Sequence, residues 1–470
     1  MLVQAHAPSR SHGIALAVLF LAVIFTPMVK YGNLPPLRAD DFVVVVLFLA
    51  AWNWSTTRGY GWFWGPGKSI ISLLYMLILA MFIISYVIGL EAGRYGFLIN
   101  DAVYTPASIF RLFMVFVICA SARPDARGWN ILLWTVVLAG LLEVAILGLQ
   151  YYDVGGFREL STGLWGGFEK LVVATEFRGS EVRAPGTLGN ANVSGCAVGL
   201  MMGAALVALF YGRGLWARLA LALPVAVLLF ASNVVWTASR ACVVSSLGGV
   251  VVLASFALFV GQHRVRAAVV SAILVVLVVY FMVNLQDMPV PDRVKEAFRG
   301  GTGGGGLVEG MYGRFFIWGE RLAALAQQAN PLTGFGPSKA AAQTVDNDYI
   351  AFYYKVGLIG LAMALIMKTI ITLRTFANAL RARVTSDLNV AFLLLYMNVV
   401  LLLFGFTADI FLNGQLGHII AMCAGLTCAL SVSLREKRDV GLAAQPQSAW
   451  PSGASDGLTP AYQEEPLGGA

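Results

Sequence analysis

Apolar runs of roughly 20 residues, the length that crosses a bilayer as a helix, recur along this chain and are parted by polar segments. They fall at 13–29, 42–54, 70–90, 104–120, 131–151, 193–211, 219–235, 241–260, 267–285, 349–367, 389–411 and 417–434. Pro and Gly inside such runs are tolerated where neighbouring helices satisfy the backbone. The pattern predicts an all-α polytopic membrane domain over residues 1–434 with about 12 transmembrane helices. The first run has a charged start, as a signal peptide does, but no small-residue cleavage site precedes Lys30. It is therefore read as a retained span.

Two connections are long, residues 152–192 and 286–348, and alternation of the spans puts both on the same side of the membrane. The second opens with a polar run at 291–299, crosses a glycine-rich stretch at 301–306 and then turns helical. From Arg314 to Gln328, Arg314, Trp318, Arg321 and Leu325 share one helical face, with Phe315, Leu322 and Ala326 on the neighbouring one. Such a helix is expected to lie along the outer membrane surface, where Trp and Arg are at home. Residues 435–470 form the tail, which from Val440 is rich in Ala, Gly, Pro, Gln and Ser and is read as disordered and cytoplasmic.

Composition agrees with the hydropathy pattern. The chain is 58% hydrophobic and 12% charged, where soluble domains carry about a quarter charged residues. The basic residues give the orientation. Arg10; Arg58 and Lys68; Arg123 and Arg127; Arg213 and Arg218; Arg264 and Arg266; Lys368, Arg374, Arg381 and Arg383; and Arg435, Lys437 and Arg438 all fall on one side. The short connections on the other side hold only Lys30, Arg38, Arg94 and Arg240. By the positive-inside rule both termini are expected in the cytoplasm. The formal charge of +7 is then mostly an inner-face anchor and gives no reason to expect nucleic acid.

Chemistry is expected where polar residues meet the membrane, above all in residues 310–360. Arg183 precedes the sixth span, Arg240 starts the eighth and Asp346 precedes the tenth, so all three fall at outer helix ends. An arginine fork matches phosphate oxygens, and two arginines with a carboxylate suit a diphosphate leaving group with a base beside it. Taken singly, each has a plainer reading: arginines at membrane edges anchor helices, and Asp-Asn before a helix caps it. Inside the spans, Arg111 and Glu143 lie at matched depth and are expected to pair. Lys355 has no obvious partner and is a secondary candidate for the diphosphate, while Asp409 and His418 flank the last outer turn. The five cysteines all fall inside spans and the four histidines are scattered, so no disulfide or metal site is expected.

Four segments, in order, carry a resemblance: GTLGNANVSG after Arg183, TASRA around Arg240, GRFFIW followed by NPLTGFG, and DNDYIAFYYKVGLIG. Over about residues 183–361 the succession resembles the O-antigen polymerase and O-antigen ligase family of bacterial surface-polysaccharide enzymes. The resemblance implies a metal-independent glycosyltransferase of the GT-C type in the bacterial inner membrane. It would use an undecaprenyl-diphosphate-linked oligosaccharide on the periplasmic side and need no cofactor. In that family two arginines bind the lipid diphosphate and a histidine, commonly in a His-Asn pair, acts at the reacting hydroxyl. Arg183 and Arg240 match the arginines and Asn347 matches the Asn, but Asp346 stands where the His would be. Within residues 310–360, Arg314, Trp318 and Arg321 are further candidate substrate contacts, with sugar stacking and a membrane-interface role explaining Trp318 about equally well.

That departure points to a polymerase of exopolysaccharide, capsule or O-antigen, since the ligase subgroup leans on the His. Aspartate is a weaker base than histidine but is fully ionised at neutral pH. The closest rival is a ligase moving lipid-linked glycan to a lipid A core or to protein. A rival of another class is a transporter or flippase, which would typically show two related halves; no internal repeat is seen here. The lipid bilayer is an expected partner in every case, and other polysaccharide-assembly proteins are candidates.

Overall fold

A computed structural model describes residues 8–29, 37–56, 68–97, 102–103, 105–165, 183–211, 215–259, 264–288, 290–291, 294–295, 307–337, 347–411 and 414–443. The described residues are almost wholly helical. In order the helices are α1 (Arg10–Phe25), α2 (Ala39–Thr56), α3 (Ser69–Glu91), α4 (Thr105–Ser121), α5 (Ala126–Tyr151), α6 (Phe157–Trp165) and α7 (Ala191–Tyr211). There follow α8 (Leu215–Val235), α9 (Arg240–Phe259), α10 (Arg264–Asn284), α11 (Leu307–Gln328), α12 (Asp348–Arg381), α13 (Thr385–Gly405) and α14 (Gly414–Ala443). A two-residue antiparallel pair, β1 (Met28–Val29) with β2 (Leu37–Arg38), closes the turn between α1 and α2.

Among the described residues, eight helices are long and apolar enough to cross a membrane: α3, α5, α7, α9, α10, α12, α13 and α14. α1, α4 and the 219–235 part of α8 are shorter apolar helices. The protein is an all-α multi-pass membrane protein. α7, α13 and the apolar part of α14 are buried along most of their length, whereas α10 turns Val275, Val276, Val279 and Val283 outward, as a lipid-facing helix does. Small residues let the central helices approach. A Cβ at Gly203 or Gly249 would lie 2.3 or 2.7 Å from the ring of Tyr396, whose hydroxyl donates to Gly199 O at 2.8 Å.

Every predicted span overlaps a helix, but three details depart from expectation. The 152–192 connection contains α6, which is tied back by a 3.0 Å bond from Trp165 Nε1 to Phe25 O. α14 runs past residue 434 to Ala443, so the tail begins later than expected.

The third departure shapes the site: α12 is broken at Gly357, whose φ of 69° and ψ of −169° no helix contains. The carboxylate of Asp348 nevertheless pairs with Lys368 Nζ. In a straight helix those residues would be about 30 Å apart, so the two arms fold back on each other. Lys368, expected in the cytoplasmic segment after the tenth span, instead lies partway along the long arm.

Residues 330–336 hold the break open. Leu358 N donates to Pro331 O at 2.8 Å, Phe335 N to Tyr354 O at 2.8 Å and Gly336 N to Lys355 O at 2.9 Å. The loop thereby satisfies the backbone groups that the break exposes. A Cβ on Gly334 would lie 2.6 Å from Gly357 N, and one on Gly357 would lie 2.3 Å from Leu332 C. The NPLTGFG and KVGLIG segments are thus the two halves of one interlock.

Candidate functional site

Two loops dip into the same end of the bundle, and each is held by a buried carboxylate. The first, residues 183–190, leads into α7. Glu143 of α5, wholly buried, accepts from Thr187 N at 3.0 Å and from Thr187 Oγ1 at 2.7 Å. Gly186 N donates to Gln150 Oε1 at 2.7 Å. Gly186 has φ 66°, and a Cβ there would fall 2.1 Å from Glu143 Oε1. This corrects the expectation that Glu143 pairs with Arg111. Arg111 reaches the other way and pairs with Asp41 near the start of α2.

The loop delivers Arg183. Its Nε donates to Thr237 O and its Nη2 to Asn192 Oδ1, both at 2.7 Å. Ala184 N adds a 2.9 Å bond to Trp236 O. The Arg183 segment and the TASRA turn, far apart in sequence, are therefore side by side. Ala238 in that turn is buried with φ 45°, an unusual conformation for a residue with a Cβ. Arg240 is the next residue but one and opens α9.

The second loop, residues 406–411, follows α13. Asp348, also wholly buried, accepts from Ile410 N at 3.2 Å and Phe411 N at 3.0 Å while it pairs with Lys368. Asn347 caps the short arm of α12 by accepting from Tyr349 N at 2.9 Å and Ile350 N at 3.0 Å, and its amide donates to Phe406 O at 3.0 Å. The side chain expected to meet substrate is thus engaged at both ends.

Depth is the second correction. Phe352 of the short arm packs on Phe82, near the middle of α3, with ring centroids 6.1 Å apart. Asp348 lies one helical turn further from Gly357, so the start of α12 is level with the middle of the bundle and not at its mouth. Asp346 itself lies outside the described residues. Gly248 of α9 approaches Leu403 of α13, and Arg240 lies eight residues beyond Gly248, about 12 Å of helix. The arginine-bearing turns thus stand above the floor that Asn347 and the 406–411 loop build.

Lys355 is not unpartnered: its Nζ donates to Asp409 Oδ2 at 2.8 Å. α11 lays the expected face on this region. Trp318 is buried against Ala351, Leu325 packs with Phe335 and Tyr354, and Arg314 Nη1 donates to Thr407 O at 3.2 Å. Arg321 lies beside Tyr354, with its Nε buried and without a hydrogen-bond partner among the described residues. Trp318 is therefore packed, with the Phe315 ring edge to face against it at 5.2 Å between centroids, while Phe315, Phe316 and Ile317 are themselves exposed.

A further cluster went unanticipated. Arg38 Nε donates to Asp40 Oδ1 at 2.9 Å, and Arg38 Nη2 to Val23 O at 3.1 Å. His418 is wholly buried with Nδ1 3.8 Å from Asp40 Oδ2. With Arg111 and Asp41 these residues join α2, α4 and α14. Asp40-Asp41 just before an apolar run was the available signal, masked by its ordinary role in the first turn of a helix. Among the described residues no three His, Cys, Asp or Glu side chains gather as a metal site would require.

No protein-family model matches the chain, and no curated protein matches it in sequence.

Proposed function

We propose that this chain is a bacterial inner-membrane polymerase that joins undecaprenyl-diphosphate-linked oligosaccharide units on the periplasmic face, with twelve spans and both termini in the cytoplasm. The observation that supports the reading is the bond from Arg183 Nε to Thr237 O, which brings the two arginine-bearing segments together. Arginines at that spot suit a diphosphate, and Asp346, the base of the proposal, precedes Asn347 in the sequence.

In the proposed reaction the acceptor hydroxyl of the incoming lipid-linked unit attacks the anomeric carbon of the growing chain. A new C–O bond forms, the bond from that carbon to the diphosphate oxygen breaks, and the leaving diphosphate takes the electron pair. The hydroxyl proton passes to the Asp346 carboxylate. Arg183 and Arg240 offset the charge gathering on the diphosphate. Asn347, Asp348 and Lys355 hold the floor in shape, and Arg314, Trp318 and Arg321 dock α11 over it.

The test uses purified enzyme and lipid-linked repeat units. Asp346→Asn is expected to abolish polymerisation while leaving the protein folded, since Asn is nearly isosteric. A fully active variant sinks the role of Asp346. In cells, a knockout that accumulates single lipid-linked repeat units supports the polymerase, and one that accumulates long lipid-linked chains supports a ligase.

One observation favours a second reading. A broken helix whose short arm starts deep in the bundle is a device of transporters, and α12 has that form. Flux of lipid-linked glycan across proteoliposomes without bond formation would support a flippase.

A further inference from the structure

The proposed reaction brings together two lipid-linked units, and each carries a diphosphate. Arg183 and Arg240 serve the one that leaves. A second diphosphate on the same side of the membrane needs cationic side chains of its own.

Arg94 follows the end of α3, and alternation of the spans puts it on the side of Arg183 and Arg240; Arg321 belongs to α11. Both border one buried aromatic pair at the α12 break. Phe335 and Tyr354 stack there with ring centroids 4.8 Å apart. The Arg94 guanidinium stands 5.8 Å from the centre of the Phe335 ring and donates from Nη1 to Gly334 O at 2.9 Å. Arg321 lies beside Tyr354, one helical turn before Leu325, which packs with both rings.

Acids do not offset this pair of charges. Among the described residues neither arginine has a carboxylate within ion-pair distance, whereas Arg38, Arg111 and Lys355 each have one. Glu91 and Glu320, the acids nearest them in sequence, are exposed and pair with neither. Each Nε is also buried with no hydrogen-bond partner among the described residues. A buried donor left unbonded is costly, and two guanidinium forks left so beside one ring pair suit phosphate oxygens. Next to Arg321, Leu322 and residues 315–317 of α11 are apolar and exposed, which gives a lipid tail a surface to lie along.

We infer that Arg94 and Arg321 hold the diphosphate of the second lipid-linked unit, the acceptor. Naming that ligand as the acceptor rests on the polymerase reading; a lipid-diphosphate site at this place does not.

The test is native mass spectrometry of the full chain in detergent, with farnesyl diphosphate as a short lipid diphosphate and short-chain phosphatidic acid as its competitor. The wild type is expected to bind two farnesyl diphosphates. Arg321→Gln is expected to weaken one of the two events about tenfold or more, through lost charge-assisted bonds, and Arg240→Gln to weaken the other. Arg94 also latches Gly334 O, so its part is read from Arg94→Lys, which keeps the charge without the fork. That variant is expected to weaken the same event as Arg321→Gln severalfold, with melting temperatures near wild type showing that both variants are folded. A single binding event in the wild type, or two that Arg321→Gln leaves unchanged, overturns the inference. Phosphatidic acid that displaces the Arg321-dependent farnesyl diphosphate at equal concentration also overturns it, by marking a general anionic-lipid site. A wild type that binds two lipid diphosphates yet joins no lipid-linked units sinks the polymerase reading and leaves this site standing.

Discussion

Glu143 holds Thr187 by two bonds, from the backbone N–H at 3.0 Å and from the hydroxyl at 2.7 Å, in a part of α5 that water does not reach. Gln in its place offers one acceptor where two are used and turns an NH2 toward a donor. Glu143→Gln is expected to cost about 1–3 kcal/mol and to loosen the loop that carries Arg183, so thermal stability and turnover should fall together. Arg111→Met disturbs a different pair, with Asp41. The double variant should therefore be additive in melting temperature; strong mutual rescue would mean that Arg111 and Glu143 are coupled after all.

The interlock at the α12 break makes a prediction about glycines. Gly357→Ala puts a Cβ 2.3 Å from Leu332 C at a residue of φ 69°. Little folded protein should survive detergent extraction, and Gly334→Ala should behave alike. Gly319→Ala on α11 meets nothing within 4 Å and should be neutral or raise stability by up to about 1 kcal/mol, the helix-propensity gain of Ala over Gly. Size-exclusion profiles of the three variants are enough to check this, and a well-behaved Gly357→Ala would argue against the break.

Lys355 and Asp409 should behave as a pair. Removing either charge strands the other in a half-buried setting, at a cost of about 3–5 kcal/mol if burial is complete and less here. Lys355→Met and Asp409→Leu are each expected to lower the melting temperature, and the double variant should recover part of the loss. Two independent, fully additive losses would show that the bridge contributes nothing.

Arg183→Lys keeps the charge but cannot reproduce bonds from Nε to Thr237 O and from Nη2 to Asn192 Oδ1 together. Turnover of lipid-linked units is expected to drop severalfold or more while expression stays near normal. Unchanged turnover would make Arg183 a structural anchor only.

The sidedness can be read chemically, because all five native cysteines are buried. A cysteine placed at Glu159, on the exposed face of α6, should be labelled by an impermeant thiol reagent added to intact spheroplasts. One at Arg438, exposed at the other end, should be labelled only after lysis. The reverse pattern would invert the proposed orientation and with it the site.

Most of the fold was legible because hydropathy over roughly 20 residues is a strong local signal. Boundaries moved where polar residues extend a helix beyond the membrane, as in α14. The break at Gly357 was hidden by the same physics: a glycine inside an apolar run is ordinary in membrane helices, and the φ that marks it out is not a sequence property. Pairing was the least legible level. Depth along the helix suggested Arg111 with Glu143, but the partners are decided by how the helices rotate, and Asp41, 70 positions away, faces Arg111. The quoted segments were recognisable as words; that Gly334 and Gly357 need each other's lack of a side chain could be seen only in three dimensions.

The folded-back α12 bears on biosynthesis. A translocon sampling hydrophobicity as the chain emerges meets residues 349–367 as one continuous candidate segment, yet the mature molecule divides that stretch between two arms. Residues 330–336, which hold the arms apart, are made earlier and emerge on the far side of the break. The pairing of Asp348 with Lys368, which folds the arms together, can form only after Lys368 has been made, so the short arm cannot take its final position while the segment is still emerging.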